Sequence, residues 1–351
     1  MSAAETTPRS QVLIVGAGLG GLLLGALLER CDVPYTIFER AQTAKRLGSA
    51  MVVASQLMPI LEQLDLVEQL AAVGKRLHGS LLVTEAKETL LIMNSLPSEE
   101  LSGCPSYLIT RPLLYDLILS KVSPHNVLHD KRVTTIAEEG DKVKIQTADN
   151  SVYEGDILIG ADGAYSIVCQ SMYEKLEKEG KLPKSDQEDL PFSCTCLVGQ
   201  TEPLDIRVFP QLMIPEQPFV SHLGENKPYA WILFTTTHNM ICWTLLKHLE
   251  SYLSRSAEEE RAKRGENAEW GPLATQAMMG KTRDFPIIFG NGDMTLGDLY
   301  DRTPKDLMSK AMPEEKVFNT WYFLVASSYW EMVCYLSVEG ISLGLQIGCA
   351  A

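Results

Sequence analysis

The first forty residues alternate between apolar runs and a glycine-rich turn. Residues 11–15 form a short apolar run with branched side chains, which predicts a buried strand. Glycines follow at once, and residues 22–30 have the composition of a helix. A second β-rich run at residues 35–38 ends at Glu39 and predicts a parallel strand. The pattern therefore predicts a βαβ unit at the start of the chain.

Beyond residue 50 the apolar spacing predicts further helices and strands. They are a helical stretch over residues 57–73, a strand pair at 81–83 and 90–92, a helix after Pro112, a strand pair at 143–147 and 151–159, and a hairpin at 229–235 and 240–245. Residues 174–190 are rich in Lys, Glu and Asp, which indicates a solvated helix and linker. The hairpin predicts a second, sheet-containing domain. Its aromatic residues favour a sheet core over an aromatic substrate pocket; they are Tyr229, Trp231, Phe234 and Trp243.

The glycine-rich turn has the spacing of a dinucleotide-binding loop. Gly16 permits a tight turn, Gly18 lets the backbone approach a pyrophosphate, and Gly21 allows the helix to pack closely on the strand. Glu39 lies 23 residues after Gly16, where a carboxylate can accept both hydroxyls of an adenosine ribose. These residues predict dinucleotide binding without separating FAD from NAD. The alternative is a glycine-rich turn with a surface glutamate.

Two later segments carry a family resemblance. Arg111 precedes the helix opened by Pro112, and Asp162 and Gly163 end the segment Gly-Ala-Asp-Gly after a strand. Together with the glycine-rich turn, they resemble the flavin-dependent aromatic hydroxylases of the para-hydroxybenzoate hydroxylase-like group, especially the fungal FAD-dependent monooxygenases of secondary metabolism. The resemblance is close over residues 12–168 and loose beyond them.

The resemblance implies a role for each of these residues. Arg111 is expected near the flavin and its phosphates, while Asp162 and Gly163 serve FAD and the reducing nicotinamide together. Gly48 and Ser49 belong to a small-residue segment that passes the flavin with its backbone. A surface ion pair for Arg111 and an ordinary turn at Asp162 and Gly163 are the alternatives.

The resemblance also implies the fold class and the domains. We expect an α/β protein with a Rossmann-like FAD/NAD(P)-binding domain and an inserted β-sheet substrate domain. The expected FAD-binding domain comprises residues 8–75 and 100–175, and the expected substrate domain comprises 76–99 and 176–285. Residues 286–351 are expected to return to the FAD domain and to leave it incomplete.

The chain departs from the family pattern at two places. Cys169 occupies the position of a family Arg, which puts in question a supporting ion pair and the nicotinamide affinity. The family's third fingerprint, a Gly-Asp that binds the ribityl chain, is not found in residues 323–351. Residues 329–333 are Tyr-Trp-Glu-Met-Val, whose codons read one base earlier give Leu-Gly-(Asp or Asn)-Gly. We hypothesise a terminal segment in the wrong frame, with chance as the alternative, and expect weak FAD retention.

Composition narrows the class of partners. A length of 351 residues with 45% hydrophobic and 22% charged residues predicts a globular protein of two domains or of one large α/β body with an insertion. The net charge of −14 argues against nucleic acid as a partner. Eight scattered cysteines predict reduced thiols in a cytoplasmic protein, and no His or Cys spacing predicts a metal site. Glu331 and Glu339 interrupt the apolar C-terminal stretch, which argues against a membrane anchor. The oligomeric state is left open.

The resemblance implies an FAD-dependent monooxygenase that uses NAD(P)H and dioxygen. Its expected reaction is hydroxylation or epoxidation of a small organic substrate, aromatic or of polyketide or terpenoid type. The alternatives are a flavin dehydrogenase or reductase that never activates oxygen, and an inactive truncated remnant. No catalytic base can be named from the sequence.

Overall fold

A computed structural model of the chain describes residues 11–43, 50–163, 165–188, 191–225, 227–254, 272–311, 313, 318–324 and 331–334. Predictions for Gly48, Ser49 and the segment beyond residue 334 lie outside these ranges. Two compact units contain the described residues. The first unit takes those within 1–45, 114–188 and 318–340, and the second takes those within 46–113 and 189–317.

The strands are β1 (Val12–Val15), β2 (Tyr35–Phe38), β3 (Ala50–Val53), β4 (Lys75–Thr84), β5 (Thr89–Asn94), β6 (Ser106–Thr110), β7 (Val127–Leu128), β8 (Val133–Glu139), β9 (Lys142–Thr147), β10 (Val152–Gly155), β11 (Ile157–Gly160), β12 (Pro191–Gln200), β13 (Glu216–Leu223), β14 (Tyr229–Thr235), β15 (Ile241–Ser254), β16 (Ser309–Ala311), β17 (Tyr322–Leu324) and β18 (Glu331–Cys334). The α-helices are α1 (Leu19–Arg30), α2 (Met58–Gln63), α3 (Val67–Val73), α4 (Leu96–Ser102), α5 (Arg111–Leu119), α6 (Ile167–Lys178), α7 (Lys184–Gln187), α8 (Pro272–Thr282) and α9 (Leu296–Tyr300). In the described part of the chain, no helix is long and apolar enough to cross a membrane.

The first unit is built on a six-stranded sheet of order β17-β18-β11-β1-β2-β7. The central strand β1 is apolar and buried at every position, as expected of a strand with a parallel neighbour on each side. It runs parallel to β2 and to β11, and Val15 lies between Phe38 and Gly160 in the register. The predicted βαβ unit is therefore confirmed, and three strands end at the same edge of the sheet.

The run predicted as one strand over residues 151–159 is instead two strands. β10 pairs antiparallel with β9 in a separate three-stranded sheet, whereas β11 joins the parallel sheet. The chain passes between them at Gly155 and Asp156, where a Cβ on Gly155 would lie 2.6 Å from Leu13 Cγ and Asp156 accepts a hydrogen bond from the Gln11 amide at 2.7 Å. The strand periods of the two halves are alike, so the apolar pattern alone does not show this division.

Helix α6 covers the core of the first unit with a face that includes Cys169. Val168, Cys169 and Met172 are buried in one apolar cluster with Leu158 of the sheet. Cys169 thus occupies a core position, where an arginine would have to bury its guanidinium group at a large desolvation cost. The family's ion pair has no counterpart at this position, and the thiol contributes packing instead.

The second unit is built on a nine-stranded sheet of order β16-β12-β15-β14-β13-β4-β6-β3, with β5 paired to β4. The predicted hairpin is confirmed as β14 and β15, and the predicted strand pair as β4 and β5. Trp231 and Trp243 are fully buried in a core cluster that includes Leu299 of α9. Their indole N–H groups donate to Pro286 O at 2.9 Å and Thr303 Oγ1 at 3.0 Å. Both tryptophans are core residues, as the alternation of the hairpin favoured.

Tyr229 packs against the same cluster, whereas a second apolar cluster of this unit includes the fourth hairpin aromatic, Phe234. Its ring lies 6.5 Å from that of Phe219, and Cys194, Cys196 and Cys242 are buried in the same cluster. Burial raises the pKa of the Cys196 thiol to about 11, so this thiol is uncharged at neutral pH. This cluster is apolar throughout and carries no ionised group.

Two helix boundaries and the division into units differ from the sequence predictions. The helical stretch over residues 57–73 is two helices, α2 and α3, because Asp65 between them adopts a positive φ of 52°. The helix expected after Pro112 begins one residue earlier, at Arg111. The compact units also divide the chain at other points than the expected domains. Residues 50–75, 100–113 and the described residues of 286–317 fall in the second unit, and residues 176–188 fall in the first. Which ranges bind cofactor and which bind substrate stays a prediction.

Candidate functional site

Three loops of the first unit leave the sheet side by side. Because Val15, Phe38 and Gly160 are neighbours in the parallel register, the residues that follow them begin at the same edge. The Gly16 amide donates to Phe38 O at 2.8 Å, and the Ala161 amide donates to Val15 O at 2.7 Å. The carboxyl edge of an open parallel sheet is where such folds bind their ligands.

The three glycines of the turn have different reasons to be glycine. Gly16 has a positive φ of 105°, and a Cβ there would lie 2.4 Å from Ala161 O. A Cβ on Gly21 would lie 2.0 Å from Gly16 O, so this residue allows α1 to pack on the turn. The nearest atom to a Cβ on Gly18 is Ala161 O at 3.8 Å. Gly16 and Gly21 are therefore required by packing, whereas Gly18 borders open space.

The N-terminus of α1 begins at this open space and has no side-chain cap. Gly18 is the N-cap residue, with extended backbone, and the first turn contains no acidic residue. The first helical hydrogen bond runs from the Leu22 amide to Gly18 O at 2.9 Å. Leu19, Gly20 and Gly21 are buried, and no side chain caps the helix end that their amide groups form. Such an end is suited to an anion, which the helix dipole favours.

Glu39 is fixed beside the turn by two backbone amides. Its Oε2 accepts a hydrogen bond from the Ala17 amide at 2.9 Å, and its Oε1 accepts one from the Ala41 amide at 2.8 Å. The side chain is half-buried, and each oxygen keeps further acceptor capacity. The two amides thus fix the orientation of the carboxylate beside the turn, and its role in ribose recognition stays a prediction.

Asp162 has one carboxylate oxygen in use and one unused. Its Oδ2 accepts from the Ile167 amide at 2.9 Å and so helps to cap α6. Its Oδ1 is buried and has no hydrogen-bond partner among the described residues. Gly163 follows with a positive φ of 95° and no atom near its Cβ position, so the backbone conformation, not space, favours glycine there. A buried acceptor without a donor is costly, and a ligand donor would remove that cost.

Ser166 is a contributor that the motif analysis did not single out. Its Oγ accepts from the Cys169 amide at 3.1 Å and so caps α6 together with Asp162. A serine at the start of an apolar-periodic segment is the usual N-cap signal, which would have identified it. Because two side chains already cap this helix end, it is less open to an anion than the N-terminus of α1.

Arg111 belongs to the second unit and is exposed at the start of α5. The strands β3 and β6 are antiparallel, with Ala50 opposite Thr110. The chain therefore enters β3 and leaves β6 at the same end of this strand pair. Gly48 and Ser49 lie just before Ala50, outside the described residues, so their predicted closeness to the flavin, like that of Arg111, stays a prediction.

The residues of the first unit fit the adenosine diphosphate end of a dinucleotide. The uncapped end of α1 offers donors for a pyrophosphate, Glu39 offers fixed acceptors for a ribose, and Asp162 has a buried acceptor to satisfy. Within the described ranges, no three His, Cys, Asp or Glu side chains come together as a metal site. Fold and site thus define a dinucleotide-binding α/β protein.

Comparison with protein families gives the particular family. The family model described as FAD binding domain matches residues 9–199, which is more than half of the chain. The chain belongs to this FAD-binding family. Its mixed α/β fold, with a parallel sheet in one unit and a large sheet in the other, is that of FAD-containing monooxygenases.

Individual relatives agree with the family assignment. The FAD-dependent monooxygenase olcE of Penicillium canescens is 25% identical over 328 residues, which cover 92% of this chain and 64% of olcE. The 3-amino-4-hydroxybenzoate 2-monooxygenase of Streptomyces cremeus is 30% identical over 164 residues, 46% of this chain and 42% of that protein. Klebsiella pneumoniae HpxO complexed with FAD and uric acid superposes with a TM-score of 0.61 at 16% identity, covering 92% of this chain and 72% of HpxO. The chain thus spans about two thirds of the length of olcE.

Proposed function

We propose that the chain is an FAD-dependent monooxygenase that uses NAD(P)H and dioxygen to hydroxylate or epoxidise a small organic substrate. One observation carries the proposal: an uncapped helix end, a pre-oriented carboxylate and a buried unused acceptor meet at one edge of a parallel sheet. The FAD-binding family and the name of olcE, an FAD-dependent monooxygenase, support it.

The adenosine half of FAD would be held by the turn and by Glu39. Amide groups in the first turn of α1 would donate to the pyrophosphate, and Gly18 would let it approach because no Cβ stands in the way. Glu39 would accept the ribose hydroxyls through the same oxygens that the Ala17 and Ala41 amides already hold in place. A carboxylate oriented in advance binds its partner with less loss of side-chain entropy.

The remaining proposed contacts concern the flavin and nicotinamide side. Asp162 Oδ1 would accept a hydrogen bond from FAD or from the reducing nicotinamide, and Gly163 would keep the turn open beside it. Arg111, Gly48 and Ser49 would lie along the flavin, the arginine near its phosphates. When bound, FAD supplies the redox chemistry that takes electrons from NAD(P)H and activates dioxygen. The protein binds, orients and excludes water, and no protein nucleophile is required.

We propose an aromatic substrate, or one of polyketide or terpenoid type. The relative from Streptomyces cremeus is named for an aromatic acid substrate, 3-amino-4-hydroxybenzoate. The name of the fungal relative olcE, an FAD-dependent monooxygenase, states no substrate. We also propose a role in secondary metabolism and a cytoplasmic location. They rest on the family resemblance and on the cysteine content of the chain.

Reconstitution with FAD followed by oxygen labelling tests the proposal. We expect the FAD-loaded protein to oxidise NADPH or NADH with consumption of dioxygen when a substrate from an aromatic, polyketide and terpenoid panel is present. The product should carry one oxygen atom from labelled dioxygen. Oxidation of NAD(P)H that proceeds equally without dioxygen and gives an unlabelled product would instead support a dehydrogenase or reductase. A protein that binds no FAD would contradict the proposal altogether.

A further inference from the structure

Strand β5 forms an open edge of the sheet in the second unit. It pairs antiparallel with β4, from Gly79 opposite Asn94 to Val83 opposite Thr89, and the other side of β4 pairs with β13. Among the described residues no strand pairs with the outer side of β5. Half of its backbone N–H and C=O groups therefore face away from the sheet, where another strand could pair with them.

The side chains of this strand are apolar and exposed on both faces. Leu90 is 54% exposed, Leu91 47% and Ile92 72%. Leu91 and Ile92 are successive residues of the regular part of the strand, so their exposed side chains point to opposite faces and both faces are apolar. Single exposed apolar residues are common on protein surfaces, but an apolar run on an open strand edge marks an interaction site or an aggregation hazard.

Two of the usual protections of a strand edge, a charged residue and a proline, are missing from β5. Natural edge strands carry lysine, proline or an inward-pointing charge that prevents further pairing. Residues 89–98 contain no charged residue, and their one proline, Pro97, lies in α4 beyond the strand. The nearest charged residues along the chain are Lys87 and Glu88, before the strand begins. The register is irregular between Leu82 opposite Leu91 and Val83 opposite Thr89, which leaves Leu90 out of the ladder, so the regular part of β5 that can add a strand is residues 91–94.

We propose that the outer edge of β5 pairs antiparallel with β5 of a second copy of this chain, about a twofold axis at Leu91 or Ile92. The charge distribution supports a second copy. In an antiparallel pair centred on Leu91, Leu90 lies opposite the partner's Ile92 and Glu88 opposite the partner's Asn94. Centring on Ile92 places Leu90 opposite the partner's Asn94. In neither register do like charges face each other along the strand.

The charge of the whole chain makes this strip the favourable place of approach. Each copy carries a net charge of −14, so most pairs of surfaces repel each other. Ten consecutive uncharged residues offer contact without that repulsion, and a twofold contact needs only one self-complementary patch. The six-residue strand gives a small interface, so we expect a dimer with a dissociation constant on the order of micromolar. This inference does not depend on the proposed function.

Sedimentation velocity of the full chain over a range of about 1 to 100 µM tests the proposal. We expect the wild type to form a concentration-dependent dimer, and Ile92→Lys to weaken dimerisation by about tenfold or more, because the twofold axis brings two ammonium groups together. Leu273→Lys is the matched control, since Leu273 is an exposed apolar residue, 81% exposed, at another site of the second unit. It should dimerise as the wild type does.

A monomer throughout the concentration range would overturn the proposal, as would an Ile92→Lys variant that dimerises like the wild type. Cross-linking covers the case in which that variant does not fold. Residues opposite themselves across a twofold strand pair lie within reach of a disulfide. In a Cys31→Ser background, which removes the exposed native thiol, we expect Leu91→Cys or Ile92→Cys to form a covalent dimer on oxidation, and the background protein and Leu273→Cys to form none. Failure of both strand variants to cross-link would also overturn it.

Discussion

The two units of this protein contain buried polar groups of different kinds. In the first unit some of them lie where the parallel strands end and keep bonding capacity, as the amides at the start of α1 and Oδ1 of Asp162 show. In the second unit they lie within the sheet core. Lys75 Nζ donates to Leu212 O at 3.1 Å and to Thr235 Oγ1 at 2.7 Å, and the His222 ring stacks on Trp231 with centroids 5.2 Å apart.

The comparison shows that the effect of a buried polar group without a hydrogen-bond partner depends on where in the fold the group lies. At a sheet edge formed by three loops, unused donors and acceptors can be satisfied by a ligand. Inside a packed sheet, a polar side chain affects folding, because its charged form is penalised by desolvation. Variants at the edge of the first unit should therefore change ligand affinity, and variants in the core of the second unit should change stability and its pH dependence.

The largest effect is expected at Gly21. A Cβ there would lie 2.0 Å from Gly16 O, so Gly21→Ala must displace α1 from the turn. We expect loss of FAD affinity by more than about 100-fold together with a less stable fold. Gly18→Ala is the matched variant, since its Cβ meets nothing closer than 3.8 Å. It should fold like the wild type but bind FAD about tenfold more weakly, because the Cβ occupies the space of the pyrophosphate.

Circular dichroism melting and FAD titration by flavin fluorescence separate the two glycine variants. If Gly18→Ala binds FAD as tightly as the wild type, the open space beside Gly18 does not hold the pyrophosphate. If Gly21→Ala keeps both stability and affinity, the packing argument for the turn is wrong.

Lys75 should make the free energy of unfolding depend on pH in the alkaline range. Burial lowers the pKa of this lysine from 10.5 to about 8. Because the folded state releases the proton at a lower pH than the unfolded state does, stability from this group should rise as the pH rises from about 8 to 10.5, by up to about 3 kcal/mol. Lys75→Met should remove this rise, whereas Lys281→Met, at an exposed position of α8, should keep it.

Urea unfolding of the three proteins at both ends of that pH interval checks this expectation. The difference between wild type and Lys75→Met isolates the buried lysine from all other titrating groups. Equal pH dependence in the two proteins would show that the ammonium group is not desolvated in the folded state.

His222 should act in the acidic range with the same sign, since its folded-state pKa is also lowered. It is fully buried, and neither ring nitrogen has a hydrogen-bond partner of normal geometry in the part of the chain that the structure describes. Burial lowers its pKa from 6.5 to about 4, so stability from this group should be lost as the pH falls from 6.5 to about 4, by up to about 3 kcal/mol. His222→Phe, which keeps a ring to stack on Trp231, should reduce this loss.

The exposed His125 provides the control, because His125→Phe should leave the acid dependence unchanged. Thermal melting at pH 7 and near pH 5 measures both variants. An acid sensitivity of His222→Phe equal to that of the wild type would show that another group causes the loss.

The smallest effect is expected at Glu39. In Glu39→Gln the amide group faces the Ala17 or the Ala41 amide, so one of the two hydrogen bonds is lost and ribose recognition weakens. We expect an FAD affinity lower by about tenfold. Glu29→Gln is the control in the same unit, since Glu29 accepts hydrogen bonds from Ser123 and Tyr35 and these bonds lower its pKa. It should reduce stability and leave FAD affinity unchanged; an equal loss of affinity in both variants would contradict the role of Glu39.

The sequence predicted the edge of the first unit better than the interior of the second. Gly16, Gly18, Gly21 and Glu39 lie within one local βαβ unit, and the register of parallel strands follows from their order along the chain. Asp162 is distant in sequence, and it was found through the family resemblance. That one of its oxygens is buried and unused depends on packing, which no sequence pattern shows.

The second unit depends on pairings between distant segments. The hairpin of β14 and β15 was predictable because a short polar turn joins two β-rich runs. Its parallel pairing of β13 with β4 joins segments about 140 residues apart, and no local pattern indicates it. Lys75 and His222 are single polar residues in β-rich surroundings, and only the tertiary packing shows that they are buried.

Competition between nucleotides tests the central claim most directly. The claim is that the carboxyl edge of the first unit holds the adenosine diphosphate half of FAD. Titration of the flavin-free protein should show that FAD binds, that ADP displaces it, and that FMN, which lacks this half, binds far more weakly. FMN binding as tight as that of FAD, with no competition by ADP, would contradict the account.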